Sequence, residues 1–204
     1  MSTQKRSLHY LFLDLETTGL DERLDDIIEL GVVGTTAELQ PIFERSYVVA
    51  PTVTGLARLM AIAVLVEMHT NNGLLADLHD PAKTSLMADV ERDLIELITE
   101  HRPENGKVLM GGSGVSHFDD RFLPVYLPNL NRLLHYNTLD IGVMRIAYET
   151  WTGTDLTVVN ELKTHRALDD VYCHIAESKA FRTLFIEAAQ KRALVPSNLE
   201  KNLT

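Results

Sequence analysis

Two acidic residues near the N-terminus are the first candidates for chemistry. Asp14 and Glu16 lie two positions apart at the end of a mostly apolar run, Leu8 to Leu15, that predicts a buried strand. Because side chains alternate along a strand, both carboxylates project from the same face. A carboxylate in such a run must be paired, hydrogen-bonded or bound to a cation. Taken alone, the pair is equally consistent with a cation site and with two exposed acids at a strand edge.

A second acid lies at the start of a predicted helix. Asp119 follows Phe118, and Phe122 and Leu123 come one turn later, so the apolar residues fix the helix against the core and give Asp119 a defined orientation. Asp120 is the competing candidate. An acid near a helix start is also favoured by the helix dipole, so this feature alone does not establish a site.

A third cluster surrounds the start of the last long helix. His165 lies in the preceding loop, and Asp170 lies in the first turn beside Asp169. Taken alone, these residues are typical of a helix-start acid pair with an incidental histidine. Lys163 and Arg166 flank His165 and are candidates to contact a substrate backbone.

The three clusters together indicate a cation site. Each stands at the end of a regular element, and such ends can converge at one edge of a sheet. Four carboxylates without cysteine ligands suit Mg²⁺ or Mn²⁺. Two such ions can bind the attacking and leaving oxygens of a phosphodiester. A histidine in a loop can act as general base for water, since imidazole ordinarily titrates near neutral pH.

The elements that must position these residues predict an α/β fold. Three strands come first and are followed by alternating strands and helices, which indicates a mixed five-stranded sheet with helices on both faces. The chain has no Gly-x-Gly-x-x-Gly after its first strand and no P-loop. The predicted strands are Leu8–Leu15, Ile27–Gly34, Phe43–Ala50, Lys107–Met110 and Leu133–Leu139. The predicted helices are Leu56–Met68, Leu74–Leu78, Thr84–Glu100, Phe118–Tyr126, Ile141–Thr150 and Leu168–Gln190.

Composition limits the class of protein. The 204 residues predict a single domain over 1–204, with a core over about 8–190 and a polar tail over 191–204. Apolar residues make up 45% and charged residues 24%, which excludes a disordered chain. One cysteine excludes a disulfide-dense or cysteine-rich zinc protein. We expect no membrane span, no signal peptide and a cytoplasmic location. The net charge of −10 is unlike that of a passive nucleic-acid coat.

Three segments resemble the motifs of the DEDDh family of exonucleases. They are Asp14-Leu-Glu16-Thr-Thr-Gly19-Leu20, then Phe118-Asp119-x-x-Phe122-Leu123, then His165-x-Ala167-x-x-Asp170. Within that family the chain is most similar to oligoribonucleases, whereas its segment Gly112–Asp119 looks more like that of phage-borne exonucleases of this group. Further support comes from Ile27-Ile28-Glu29, from Met68-His69-Thr70, and from His135-Tyr136 followed by Leu139-Asp140. The resemblance extends from about Leu8 to Ala188.

The resemblance implies a ribonuclease H-like fold and 3′→5′ release of nucleoside 5′-monophosphates from short or single-stranded oligonucleotides, RNA above DNA, with two divalent ions, Mg²⁺ or Mn²⁺. It assigns metal ligation to Asp14, Glu16, Asp119 and Asp170, and the general base to His165. It assigns substrate binding to Thr17, Gly19, Leu20, His69 and Tyr136. It also implies a homodimer, with Tyr136 reaching the site of the second copy.

Departures from the oligoribonuclease pattern leave alternatives open. Val64 stands where oligoribonucleases have a Trp that stacks on a base, and Asn137 stands where they have an Arg. The glycine-rich segment Gly111–Ser116 is longer than its counterpart, and it predicts either a phosphate cradle or an ordinary turn. The alternatives are a proofreading-like exonuclease on single-stranded DNA and a non-enzymatic scaffold that binds nucleic acid or a protein. The complete set of acids argues against the scaffold.

Overall fold

Six strands form one mixed sheet in a computed structural model that describes residues 7–102, 106–156 and 164–193. The sheet order is β4-β3-β2-β1-β5-β6, so β1 is central, antiparallel to β2 and parallel to β5. This arrangement confirms a mixed α/β sheet. The strands are β1 (Tyr10–Thr17), β2 (Ile27–Thr35), β3 (Pro41–Val49), β4 (Thr84–Ser85), β5 (Val108–Gly112) and β6 (Leu134–Asp140).

The strand count differs from the predicted five because of β4. Thr84 and Ser85 pair in parallel with Val48 and Val49 at the end of β3. The prediction placed them in the first turn of a helix, which instead begins at Met87. Two residues are too few to show a strand periodicity, so the sequence pattern did not separate them from the helix.

Eight helices are present among the described residues: α1 (Val53–Ala61), α2 (Ala63–Asn71), α3 (Leu74–Leu78), α4 (Met87–His101), α5 (Asp119–Tyr126), α6 (Pro128–Asn131), α7 (Ile141–Thr152) and α8 (Ala167–Ala193). The single helix predicted over Leu56–Met68 is wrong. It is two helices that meet at Ile62, whose backbone is extended, and their axes differ by 99°. The segment has no internal Gly or Pro after residue 55, so its sequence carries no signal for a break.

The polypeptide has no single described helix that is long and apolar enough to cross a membrane. The bent pair α1–α2 reaches the required length and composition together.

The two faces of β1 bury different cores. Leu11, Leu13 and Leu15 join the larger core, which α4, α5 and α6 cover. Phe12 faces the opposite side and packs with residues of α7 and α8. Because side chains alternate, Asp14 and Glu16 continue the row that Phe12 begins. The two acids therefore lie on the face of the sheet that α8 covers.

A third, smaller core holds the first three helices near the start of β2. Its buried members are Ile28 of β2, Leu59 of α1 and Leu74 of α3. This packing brings α2 and the turn that follows it beside the end of β1 where the acids are.

Candidate active site

Asp14 and Glu16 lie near the C-terminal end of the central strand. Across the β1–β2 pair, Asp14 stands opposite Gly31 and Glu16 stands opposite Glu29. Both acids are partly buried. The strand thus delivers two carboxylates to one face, as the alternation of its side chains predicts.

Gly31 lets the N-terminus of α8 approach this face. A Cβ at position 31 would lie 2.4 Å from the backbone carbon of Ala167 and 2.4 Å from the backbone nitrogen of Leu168. No side chain fits there, so the helix backbone rests directly on the strand. Asp170, in the first turn of α8, is buried as a result of this contact.

Glu16, His165 and Asp170 converge at this point. Each offers one ligand atom, and these three atoms all lie within 4.8 Å of one another. Asp14 and Asp119 do not join this three-residue group among the residues that the structure describes. The two carboxylates supply the oxygen ligands that Mg²⁺ or Mn²⁺ prefers.

Asp119 couples to the same cluster from the first residue of α5. Its carboxyl is almost completely buried. Burial raises the pKa of Asp119 to about 7, and the backbone amides of Asp119 and Leu15 act in the opposite direction. The interaction with the amide of Leu15 places the Asp119 carboxyl beside β1, between the positions of Asp14 and Glu16.

Electrostatics identify Glu16 as the centre of the acidic group. Burial raises the pKa of Glu16 to about 8, and the charges of Glu29, Asp170 and Asp119 add to that effect. Mutual repulsion of buried carboxylates is unfavourable, and a bound divalent cation relieves it. The residues present therefore fit a metal site on electrostatic as well as chemical grounds.

His165 lies beside an open cavity of about 560 Å³ between α2 and the start of α8. Its side chain is exposed, and its backbone is left-handed, with φ of 54°. That conformation is uncommon for a residue other than glycine. The side-chain amide of Asn72 donates a hydrogen bond to the carbonyl oxygen of His165, which ties this loop to the end of α2.

Glu29 is a buried acid that the motif analysis did not single out as a site residue. It accepts hydrogen bonds from Nε of Arg166 at 2.8 Å and from the backbone N–H of Ala167 at 3.0 Å. Arg166 also forms an ion pair with Asp77 at 3.1 Å. Arg166 was a candidate for substrate contact, but its guanidinium is held by two carboxylates; Lys163 lies outside the described residues. A lone Glu in the apolar run IIELGVVG was the available signal, the same one that identified Asp14.

The loop after β1 holds three predicted substrate-binding residues. Thr17, Gly19 and Leu20 line a cavity of about 380 Å³ together with Glu16, and Val64 of α2 lies on its far wall. The Leu20 side chain is 76% exposed. Thr17 donates a hydrogen bond from Oγ1 to the carbonyl oxygen of Gly19 at 2.6 Å, which shapes the turn.

Arg121 of α5 anchors this loop. Its Nη2 donates hydrogen bonds to the carbonyl oxygen of Leu20 at 2.7 Å and to Glu22 at 2.6 Å. The helix that begins with Asp119 therefore also supports Leu20. Nothing in the sequence spacing of residues 20 and 121 indicates their contact.

His69 lies inside the site. The imidazole is completely buried, its Nε2 is 3.9 Å from Oε2 of Glu16, and neither ring nitrogen has a hydrogen-bond partner. Burial lowers the pKa of His69 to about 4, with smaller contributions from His165 and Arg166. A neutral imidazole therefore faces Glu16. Its contact with substrate stays a prediction.

Tyr136 stands apart from these cavities. It lies on the edge strand β6, is 85% exposed and stacks on His135 with ring centroids 4.4 Å apart. It lines neither the cavity beside Glu16 nor the one beside His165. Its role in the site of a second copy also stays a prediction.

Asp140 explains the glycine-rich segment Gly111–Ser116. The carboxylate accepts hydrogen bonds from the backbone N–H groups of Gly114 and Ser116, each at 3.1 Å, and caps α7 through Val143. These amides are already engaged, so the structure favours an ordered turn over a phosphate cradle. The turn leads directly into Phe118 and Asp119.

The chain is similar in sequence to known exonucleases. Residues 11–177 match the protein-family model described as Exonuclease (RNase_T). The oligoribonuclease of Hydrogenovibrio crunogenus is 32% identical over 188 residues, covering 92% of this chain and 100% of the relative. The oligoribonuclease of Bordetella pertussis is 33% identical over 172 residues, covering 84% and 92%.

A solved structure shares the fold. Escherichia coli Exonuclease I in complex with a dT13 oligonucleotide has a TM-score of 0.61 and 21% sequence identity over 87% of this chain. The matched region is 41% of that protein, so this chain corresponds to about two fifths of it. The likeness confirms the ribonuclease H-like fold. Since the Exonuclease match spans most of the chain, and the oligoribonucleases align over nearly their whole length, this chain belongs to the Exonuclease family and is a 3′–5′ exonuclease.

Proposed function

We propose that this exonuclease releases nucleoside 5′-monophosphates from the 3′ end of short or single-stranded oligonucleotides, with RNA as the main substrate. The observation that carries the proposal is the convergence of Glu16, His165 and Asp170 at the end of β1. This point lies next to the open cavity that Leu20 borders. A terminal nucleotide bound in that cavity would have its phosphodiester close to the acids.

Two divalent ions, Mg²⁺ or Mn²⁺, are part of the proposal. Asp14, Glu16, Asp119 and Asp170 would hold them. When bound, the ions would stabilise the negative charge that develops on the phosphate oxygens and lower the pKa of water. The raised pKa of Glu16 and of Asp119 supports this assignment, because crowded buried carboxylates are what such ions neutralise.

His165 is proposed as the general base. Its imidazole takes a proton from the attacking water as the water oxygen bonds to phosphorus. The bond between phosphorus and the leaving O3′ breaks, and that oxygen takes up a proton to become the new 3′ hydroxyl. The exposed position of His165 allows the imidazole to return its proton to solvent after each cycle.

The charge distribution supports short substrates. Three arginines near the cavity, Arg58, Arg121 and Arg166, are each paired with a carboxylate. With a net charge of −10, the chain has little attraction for a long phosphate backbone. Binding energy must therefore come from the terminal nucleotides, through Leu20 and the loop at Thr17.

A proofreading-like exonuclease on single-stranded DNA is the second candidate. Val64, 67% exposed, lies on the cavity wall where oligoribonucleases carry a Trp that stacks on a base. Asn137 stands in place of an Arg that holds a 5′ phosphate in those proteins. These two replacements are what favour a less length-selective enzyme.

We also propose that the enzyme is a cytoplasmic homodimer. Exposed Tyr136 on the edge strand β6, with exposed Val143 and Ile146 on α7, supports a second copy at this side of the sheet. The oligomeric state is measurable by sedimentation equilibrium, in which a Tyr136→Ser variant should dissociate more readily.

The test is a time course with Mn²⁺ on 5′-labelled RNA and DNA of one sequence, each as a dinucleotide and as a longer single strand. Rapid loss of the RNA dinucleotide with slower loss of longer strands would support an oligoribonuclease activity. Ladders from long DNA with the dinucleotide left behind would support the second candidate. Asp14→Ala is the control for contaminating nuclease, and equal activity of that variant would contradict both.

A further inference from the structure

We propose that Glu29 and Arg166 form a positioning pair that sets His165 and the start of α8 relative to the acids of β1. The inference rests on the proposed function, because it concerns the base and one carboxylate of that site. Neither residue touches the reacting atoms. Both act through the backbone that carries His165 and Asp170.

The contacts of Arg166 are specific and directional. Its Nε and Nη2 both lie 2.8 Å from Oε1 of Glu29, and Nη1 is 3.1 Å from Oδ2 of Asp77. The second oxygen of Glu29, Oε2, accepts the backbone N–H of Ala167 at 3.0 Å. One buried carboxylate therefore binds both the side chain of residue 166 and the backbone of residue 167.

The contacts of Arg166 and Ala167 also fix His165, the residue before them. His165 has a left-handed backbone, and its own carbonyl oxygen accepts a hydrogen bond from Asn72. Contacts on both sides of His165 hold its backbone in this sparsely populated conformation. The backbone carbonyl of Arg166 accepts the N–H of Asp170 at 3.1 Å, so the same pair also orients the first turn of α8.

The register of the sheet lets Glu29 fix the position of the His165 loop relative to Glu16. Glu29 is opposite Glu16 in the β1–β2 pair, on the same face. The β1–β2 pair therefore carries both Glu16, a carboxylate of the acidic group, and Glu29, which anchors the loop that contains His165. A shift of this loop by about 1 Å would misplace the base, and misplacement on that scale can cost about 10²-fold in rate.

The charges of Glu29 and Arg166 compensate each other. Glu29 is nearly completely buried, and Arg166 is its ion-pair partner at 2.8 Å. Loss of Arg166 alone leaves a buried carboxylate uncompensated beside another, which is destabilising. A variant that removes both charges separates this stability effect from the positional one.

The experiment compares Glu29→Gln, Arg166→Gln, the double variant Glu29→Gln/Arg166→Gln and Arg166→Lys with the full-length wild type. Asp77→Asn is the matched control, since it removes the outer ion pair of Arg166 and leaves Glu29 in place. The readouts are kcat and KM for release of nucleotide, the melting temperature, and hydrogen exchange of residues 164–170 in the metal-free protein. Asp14→Ala again controls for contamination.

We expect Arg166→Gln to lower kcat about 10²-fold with KM within about threefold of wild type. The double variant should recover melting temperature but not kcat, and its residues 164–170 should exchange faster than in wild type. Arg166→Lys should restore part of kcat, and Asp77→Asn should stay within about threefold of wild type. These results would separate positioning from a contribution to stability.

Two results would overturn the inference. One is a double variant with kcat within about threefold of wild type; the other is a loss of kcat that follows melting temperature across all variants. If Arg166→Gln does not fold, the double variant and Arg166→Lys decide the question. Absence of nucleotide release from the wild-type protein would contradict the proposed function itself. An active wild type whose variants at 29 and 166 keep the wild-type kcat would contradict only the inference.

Discussion

Asp14 lies directly opposite Gly31 across the β1–β2 pair, and the missing side chain at Gly31 is the space that the backbone of α8 occupies. Asp14, the first acid of the candidate site, and Gly31, which leaves room for α8, are therefore cross-strand neighbours. The position of Asp170 depends on a residue that carries no functional group. This relationship leads to the first prediction.

Gly31→Ala should damage both stability and activity. The added methyl group would meet backbone atoms of Ala167 and Leu168, which cannot rotate away, so α8 must move. We expect a loss of about 1–3 kcal/mol in the free energy of unfolding, as for other overpacked sites, and at least a tenfold loss of turnover. Urea unfolding and nucleotide release measure the two effects. For Gly34→Ala, in the same strand, the nearest atoms to the added methyl group belong to the side chains of Phe43 and Leu8. This variant should lose stability without the same loss of turnover per folded molecule.

The adjacent acids Asp119 and Asp120 offer a matched comparison. Asp119 is buried at the site, whereas Asp120 is exposed. We expect Asp119→Asn to lower turnover by about 10²-fold or more, and Asp120→Asn to stay within about threefold of wild type. Steady-state kinetics on one preparation of each variant decide the matter. Equal activity of the two variants would contradict the assignment of Asp119 as a ligand.

Metal removal should be visible in stability as well as in activity. Repulsion among buried carboxylates weakens the metal-free protein, and binding to the folded state adds stability that grows with metal concentration. The melting temperature of the wild type should therefore rise from EDTA to excess Mn²⁺. In Glu16→Gln it should be higher than wild type in EDTA and should respond less to Mn²⁺. An unchanged melting temperature of the wild type across a Mn²⁺ titration would argue against the metal site.

The ion pair of Asp25 should contribute to the free energy of unfolding, and that contribution should be lost at acid pH. Its carboxylate pairs with Arg58 at 2.7 Å, and the hydrogen bond from Arg58 holds the pKa of Asp25 below its ordinary value. A lowered pKa contributes stability above the unfolded-state value of about 4, and that stability is lost as pH falls through the folded-state value. Arg58→Gln should therefore be less stable than wild type at pH 6. The difference in the free energy of unfolding between the variant and the wild type should narrow as the pH falls below about 4, as measured by urea unfolding.

Val64→Trp should restore an aromatic platform in the cavity. Stacking of a base on an aromatic side chain contributes about 1–3 kcal/mol, so we expect KM for a dinucleotide to fall by about tenfold or more. Val53→Trp is the control for added surface hydrophobicity. The side chain of Val53 in α1 is exposed and does not line the cavity. A variant at position 64 with unchanged KM would mean that the base does not lie against α2.

The sequence predicted those parts of the molecule whose signals are local. Strand β1 with its two acids, the buried start of α5 at Asp119 and the long helix that carries Asp170 follow from periodicity and from acids in apolar surroundings. The break at Ile62 has no such signal, because the apolar run continues through it. Contacts between distant residues were also inaccessible: Arg166 with Glu29, and Arg121 with Leu20, depend on how the elements pack.

The long sequence separation within the acidic group has a consequence for biosynthesis. Asp14 is made before Asp170, and β5 and α5 lie between them in the chain. Contacts of such sequence separation form late, because the intervening chain must be ordered first. A nascent chain on the ribosome would hold Asp14 and Glu16 without their partners. The nuclease should therefore be inactive until the segment that carries Asp170 has been synthesised and packed against β1.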